Sequence, residues 1–117
     1  MVLDFIGTTT SDIGQFHVNE HNVIIGVVVR KGENNFSVCI SGEVQLKLPF
    51  ALNTTSTQPV FLSKNTGLIS LFASIEQGNT EKVIGFLYGC QTDIDEEGQE
   101  IVISRQSGDL HPAFVEI

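Results

Sequence analysis

Two stretches of this sequence, residues 23–42 and 83–104, share a pattern that few folds can accommodate. Each has an apolar run, a short polar turn and a second run rich in β-branched residues, which together predict a β-hairpin. In each first run an isoleucine is followed by a glycine, at Gly26 and at Gly85. Glycine weakens a strand, so at such a place it usually marks a bulge or a close approach of two backbones. We therefore predict that Gly26 and Gly85 are structural glycines, at positions with no room for a side chain.

The repeated pattern at matching places predicts a pseudo-symmetric small barrel or sandwich, although two ordinary hairpins could share these features by coincidence. Elsewhere, short β-prone runs alternate with Gly and Asn turns at a spacing of about eight to twelve residues, which is typical of an all-β domain. The sequence therefore predicts an all-β fold of short antiparallel strands. The predicted strands are 23–29, 36–40, 43–48, 59–62, 83–90, 99–104 and a closing strand within 109–117.

The segment 68–77 is ambiguous. Leu68, Leu71, Phe72 and Ile75 have helical spacing. The segment also follows a turn in an otherwise β-rich chain, so we predict a strand over 68–73 and a loop over 74–80. A short helix remains the alternative.

The first 22 residues lack a sustained period of either kind. We predict that residues 1–22 form an extended N-terminal arm and that residues 23–117 form a single β-domain. The arm carries an apolar cluster, Val2, Leu3, Phe5 and Ile6, beside a Gly-Thr-Thr-Thr-Ser stretch. Such a cluster can add a strand to a neighbouring protein or fill a groove on it. The alternative is that the cluster is an edge strand of the domain's own sheet.

The balance of charges argues against nucleic acid as a partner. The chain has 14 acidic and 6 basic residues and a formal net charge of −8, and phosphate binding needs clustered Lys and Arg. No apolar run is long enough to cross a bilayer, so no membrane partner is expected. Cys39 and Cys90 lie in strand-like runs and are expected to be buried thiols.

No motif predicts catalysis, a metal or a cofactor. The acidic stretch 93–98 has carboxylates at alternate positions but lacks the bidentate glutamate and flanking helices of a calcium loop, so an acidic turn is the better interpretation. His17 and His21 are four residues apart, yet no helix and no third ligand accompany them. We expect a protein that is not an enzyme and that holds no cofactor.

The order of these parts is similar to that in a known family. A Gly-containing apolar strand comes first (residues 25–29), followed by Gly42 and an alternating strand ending in Pro49. Then come Gln58-Pro59-Val60-Phe61-Leu62, a turn with Gly67, and a step of Ile84-Gly85-Phe86 before a terminal strand. This arrangement resembles the capsid cement or head decoration proteins of tailed bacteriophages over residues 23–105. Gln58 departs from the family, which usually has Asp before Pro-Val, and the acidic expansion at 96–99 is a second difference.

The resemblance implies a structural virion protein that binds the major capsid protein as a homotrimer and stabilises the expanded shell. It places the protein on the capsid surface, and in the host cytoplasm during assembly. In such proteins the N-terminal arm orders on docking, which would make Val2, Leu3, Phe5 and Ile6 capsid-binding. Another phage virion β-module, from a tail or baseplate or with receptor or glycan binding, remains the alternative.

The phenylalanines independently suggest self-association. Five of them are too many for one small core, which predicts an apolar surface covered by other copies of the chain. These residues are Phe50, Phe61, Phe72, Phe86 and Phe114.

Overall fold

A computed structural model describes residues 1–21, 23–62, 69–70 and 82–117. Within these residues the chain forms strands joined by turns and no helix. In chain order the strands are β1 (Val2–Ile6), β2 (Phe16–Val18), β3 (Ile24–Lys31), β4 (Asn35–Cys39), β5 (Ser41–Lys47), β6 (Gln58–Leu62), β7 (Ile69–Ser70), β8 (Lys82–Leu87), β9 (Thr92–Ile94), β10 (Glu100–Val102) and β11 (Leu110–Glu116).

The strands form two main antiparallel sheets and one separate hairpin. The first sheet has the order β1-β4-β3-β2, and the second has the order β5-β11-β8-β6-β7. Strands β9 and β10 pair only with each other. The prediction of an all-β fold of short antiparallel strands is therefore confirmed, in the form of a small sandwich. Of the segment 68–77, only β7 is described, so the choice between strand and helix there lies outside the described residues.

The main core lies between the two sheets. The alternating strand predicted at 43–48 places Val44, Leu46 and Leu48 on one face, and all three are buried. Phe16 and Val27 of the first sheet pack into the same cluster. Burying one such aliphatic side chain contributes about 1.5–3 kcal/mol, so this face holds the sheets together. The other buried members of the cluster are Cys39, Leu52, Val60, Ile84, Leu87, Cys90, Ala113 and Val115.

The predicted extended N-terminal arm is not confirmed. Strand β1 pairs along its whole length with β4, and β2 pairs with β3, so residues on both sides of position 22 belong to one sheet. The turn between β1 and β2 is also attached to the second sheet, because Lys47 N donates to Gly14 O at 3.0 Å. The apolar cluster in β1 thus follows the alternative interpretation, an edge strand of the domain's own sheet.

The second of the two predicted hairpins is wrong in its pairing. Strand β8 does not pair with the strand that follows it but lies between β6 and β11. The chain leaves the sheet after Leu87, because Cys90 N donates to Thr54 O at 2.7 Å and ties this segment to a loop instead. The hairpin that follows is the separate pair β9–β10, and β11 returns to fill the place between β5 and β8.

Both predicted structural glycines lie at β-bulges. His17 pairs with Gly26 and Val18 with Ile24, so one residue of β3 bulges there. Likewise Val60 pairs with Gly85 and Phe61 with Val83, so one residue of β8 bulges.

On the opposite side, each glycine lies against the backbone of the next strand. A Cβ at Gly26 would lie 2.7 Å from Cys39 O, and a Cβ at Gly85 would lie 2.9 Å from Val115 Cα and closer still to Phe114 O. A side chain at either place would overlap these backbone atoms.

Candidate assembly surfaces

The edge strand β1 presents one apolar surface. Leu3 and Phe5 turn inward, where the Phe5 ring stacks on Phe36 with a centroid distance of 5.3 Å. Val2 and Ile6 lie on the other face of the strand and are exposed, Ile6 to 99%. Within the described residues no strand pairs with the outer side of β1. Its free N–H and C=O groups can therefore accept a further strand.

Asp4, at the centre of β1, is held by its neighbours in the sheet. Ser37 Oγ donates to Asp4 Oδ1 at 2.6 Å, and Arg30 Nη2 lies 3.4 Å from the same oxygen. The carboxylate thus has partners from the next two strands. Arg30 therefore offsets part of the charge that Asp4 brings to this edge strand.

The outer face of the second sheet carries two exposed aromatic rings. Phe86 of β8 and Phe114 of β11 lie directly opposite each other, and 48% and 39% of them are exposed. A hollow of about 290 Å³ lies beside them, and its wall includes Gly85 and Ile117. The missing side chain at Gly85 therefore both relieves the close approach of two strands and leaves room beside the rings. We call Phe86, Phe114 and this hollow the aromatic patch.

A groove with a polar end adjoins the aromatic patch. It has a volume of about 330 Å³, and its lining includes Ile13, Leu110 and Pro112. At its end, Tyr88 Oη donates to Glu43 Oε1 at 3.3 Å. Desolvation raises the pKa of Tyr88, and the charge of the Glu43 carboxylate and this hydrogen bond raise it further. Because the two residues are 45 positions apart, no sequence pattern could have indicated this pair.

The hairpin β9–β10 is the third exposed surface. Each of its six strand residues is exposed, and its aliphatic side chains include Ile94, Ile101 and Val102. The sequence analysis missed this surface, because it predicted that residues 99–104 pair with residues 83–90. The available signal was the acidic turn at 95–98, with the alternating Asp93-Ile94-Asp95 before it and the aliphatic run Ile101-Val102-Ile103 after it.

Among the described residues, the histidines and acidic residues do not converge on one site. His17 Nδ1 lies 2.9 Å from Thr9 Oγ1 and its ring packs on Phe36, whereas His21 is exposed beside Glu20. No group of three potential metal ligands occurs in the part of the chain that the structure describes. The described part of the chain also contains no helix that is long and apolar enough to cross a membrane.

His111 is buried in the core beneath the groove. It is 2% exposed, and its Nε2–H donates to Tyr88 O. Its Nδ1 has no hydrogen-bond partner among the described residues. The carbonyl can only accept, so the Nε2–H tautomer is the one that this contact requires.

Comparisons with protein-family models, with curated proteins and with solved structures found no match for this chain.

Proposed function

We propose that this chain is a structural virion protein, a capsid decoration protein that binds the outside of a tailed-phage head as a trimer and stabilises the shell. The supporting observation is that a small sandwich leaves three separate apolar surfaces exposed: the outer edge of β1, the aromatic patch and the hairpin β9–β10. A protein of this size gains nothing from such surfaces alone, and proteins bury them in assemblies.

The aromatic patch is the surface that we assign to contact between copies. Phe86 and Phe114 form one continuous apolar area, and a buried aromatic ring removes about 150–250 Å² from water. Polar residues border the area, since Glu43 is the partner of Phe114 on β5. An apolar centre with a polar rim is the usual composition of a protein interface. Contact between copies through this patch would give the proposed homotrimer.

The outer edge of β1 is the surface that we assign to the major capsid protein. A strand of the shell protein would pair with the free backbone groups of β1, and Val2 and Ile6 would supply side-chain contacts. Because Val2 and Ile6 are exposed, a Val2→Ser/Ile6→Ser variant should keep the melting temperature of the parent and lose affinity for heads. Leu3 and Phe5 serve this surface indirectly, by packing β1 onto the sheet.

A receptor- or glycan-binding module of a virion is the second candidate, and the groove at Tyr88 favours it. The groove combines apolar walls with a phenol and a carboxylate at one end, a combination that suits a small polar ligand. A glycan-binding domain would bind cells or immobilised glycans and would ignore heads. Replacing Tyr88 by Phe would then weaken glycan binding, whereas a decoration protein would retain its affinity for heads.

The test uses heads of the encoding phage that lack this protein, mixed with the purified chain and sedimented. We expect the chain to sediment with the heads and to raise their resistance to heat. Light scattering should show a trimer at high concentration. A Phe86→Ser/Phe114→Ser variant should be monomeric and bind heads weakly, while Glu33→Gln, at an exposed acid in the turn between β3 and β4, should behave as the parent. A monomer at millimolar concentration that does not sediment with heads would overturn the proposal.

A further inference from the structure

The hairpin β9–β10 exposes aliphatic side chains on both of its faces. In its register Ile94 is opposite Glu100 and Thr92 is opposite Val102, so these four side chains share one face. Ile101 is opposite Asp93 and lies on the other face. Exposed fractions range from 68% for Ile94 to 40% for Val102. A partner that covers these aliphatic side chains must therefore contact both faces of the hairpin.

The hairpin is held in one conformation before any partner arrives. The Asp95 carboxylate Oδ1 accepts from the backbone N–H groups of Glu97 and Gln99, at 2.9 and 2.8 Å. Gly98, with φ of +80°, closes the turn by donating from its N–H to Asp95 O at 3.1 Å. Thr92 Oγ1 donates to Glu100 Oε1 at 2.7 Å across the two strands. These contacts reduce the entropy that binding would otherwise cost.

The base of the hairpin is attached firmly to the domain. Ile103 N donates to Gln91 O at 2.8 Å, and Arg105 and Leu52 exchange two backbone hydrogen bonds of 2.8 and 2.9 Å. The base of the hairpin is consequently joined to Leu52, a residue of the main core.

The charge of the hairpin selects the class of partner. Residues 91–104 contain five carboxylates and no Lys or Arg. An acidic hairpin is complemented by a basic surface, and this chain has 6 Lys and Arg against 14 Asp and Glu, so a second copy offers few bases to pair with the hairpin. Calcium is not proposed as the partner, because no group of three potential metal ligands occurs in the described part of the chain.

We propose that the hairpin inserts into an apolar slot with a Lys- and Arg-rich rim on the shell protein. Ile94 and Val102 contact one wall of the slot, Ile101 contacts the other, and the carboxylates at the tip pair with the basic rim. This inference rests on the proposed function, since it names the partner as a protein of the shell. It adds a second, charge-selective contact to the pairing at β1.

Two variants separate the apolar and the charged parts of this contact. Ile94→Ser/Val102→Ser removes the aliphatic side chains from one face, and Glu96→Gln/Glu97→Gln neutralises the tip without touching Asp95. The matched control is Glu20→Gln/Glu33→Gln, which neutralises two equally exposed acids elsewhere. The altered side chains are exposed, so each variant should melt with the parent.

Binding to purified heads is measured for each variant as a function of salt. We expect the aliphatic variant to bind about tenfold more weakly or worse. The tip variant should bind several-fold more weakly at low salt and show a flatter salt dependence, whereas the control should match the parent. If the parent does not bind heads, the proposed function fails. If the parent binds and both hairpin variants bind equally well, the slot is wrong. A hairpin variant that loses its trimer would show that another copy covers the hairpin, which also overturns the inference.

Discussion

Strands β3 and β8 share one local feature, a β-bulge beside a glycine, but they lie in two different sheets. In both, an isoleucine bulges just before a glycine, at Gly26 and at Gly85. In both, the glycine lies against the carbonyl oxygen of the residue that pairs with the next position in the strand. This residue is Cys39, opposite Val27, in the first case and Phe114, opposite Phe86, in the second.

The two settings differ in their neighbours. The bulge of β3 faces β2, a three-residue strand at the edge of its sheet, and the strand on its other side is the next one along the chain. The bulge of β8 faces β6 inside the sheet, and its other neighbour, β11, comes last in the chain. The shared sequence step therefore specifies a local backbone shape, while the choice of partner strands depends on the whole chain.

Deleting residues 1–16 should have the largest effect, because it removes β1 and the first residue of the strand that faces the bulge of β3. Phe16 belongs to the main core, and losing a buried Phe side chain alone costs about 3–5 kcal/mol. Out of a total stability of about 5–15 kcal/mol, this loss leaves the domain marginal. Circular dichroism should show a large fall in melting temperature.

The control for this deletion is Ile6→Ser, which changes an exposed side chain of β1 and should melt with the parent. A truncated protein that melts at the parent's temperature would restore the extended arm as the correct description.

Of the substitutions at the two bulge glycines, Gly85→Val should destabilise the protein more than Gly26→Val. Its Cβ would overlap several backbone atoms of β11, a strand that is itself fixed between two neighbours. We expect a loss near the upper end of about 1–3 kcal/mol, through overpacking and strain. Chemical denaturation measures the loss. A variant as stable as the parent would mean that β8 and β11 separate at no cost.

Gly26→Val should cost less, toward the lower end of about 1–3 kcal/mol. The closest backbone atom to a Cβ at Gly26 is Cys39 O of β4, at 2.7 Å, and one of the three nearest atoms belongs to the Ile40 side chain, which can move. Strand β3 can also move away from β4, because its other neighbour is the edge strand β2. The matched control is Gly32→Ala, where the nearest atom is the end of the Asn35 side chain. An equal loss at both bulges would show that the two settings do not differ in rigidity.

The smallest expected effect is a change in the titration of Tyr88, three positions after Gly85. Tyr88 is the single tyrosine and the chain has no tryptophan, so ultraviolet absorbance follows this one phenol. Its pKa should lie above the ordinary value of about 10. Glu43→Gln should lower the pKa, because it removes the negative charge that opposes ionisation. Gly85→Ala should also lower it by disturbing the contact, whereas Gly26→Ala should leave it unchanged. The reverse ranking of the two glycine variants would contradict the local role of each bulge.

The sequence predicted the class of the fold because period-two patterns and turn residues act locally. Neighbouring residues alone predict the alternating strand around Val44, Leu46 and Leu48. They also predict the two Ile-Gly steps as unusual places in their strands. The pairing of β8 with β11 could not be predicted, since it depends on a strand that returns after the hairpin. The position of β1 was equally inaccessible, because its side chains suit an edge strand and a docking segment alike.

The candidate surfaces were predictable to different degrees. Of the five phenylalanines predicted to exceed one core, Phe86 and Phe114 are exposed, whereas Phe50 packs against the main core. The side chains of Phe61 and Phe72 lie outside the described residues. The position of Phe86 and Phe114 side by side depends on the register of β8 with β11. The pairing of Tyr88 with Glu43 arises only when distant segments meet, so no local pattern contains it. The hairpin β9–β10 is local, but its separation from the main sheet depends on where β11 returns.

The most direct test of the proposed function is a reconstruction by electron cryomicroscopy of cognate heads mixed with the purified protein. We expect trimeric density at the three-fold positions of the shell, with the aromatic patches between copies and the edge of β1 against the major capsid protein. Heads without added density, or density from single copies whose β1 faces solvent, would contradict the proposal.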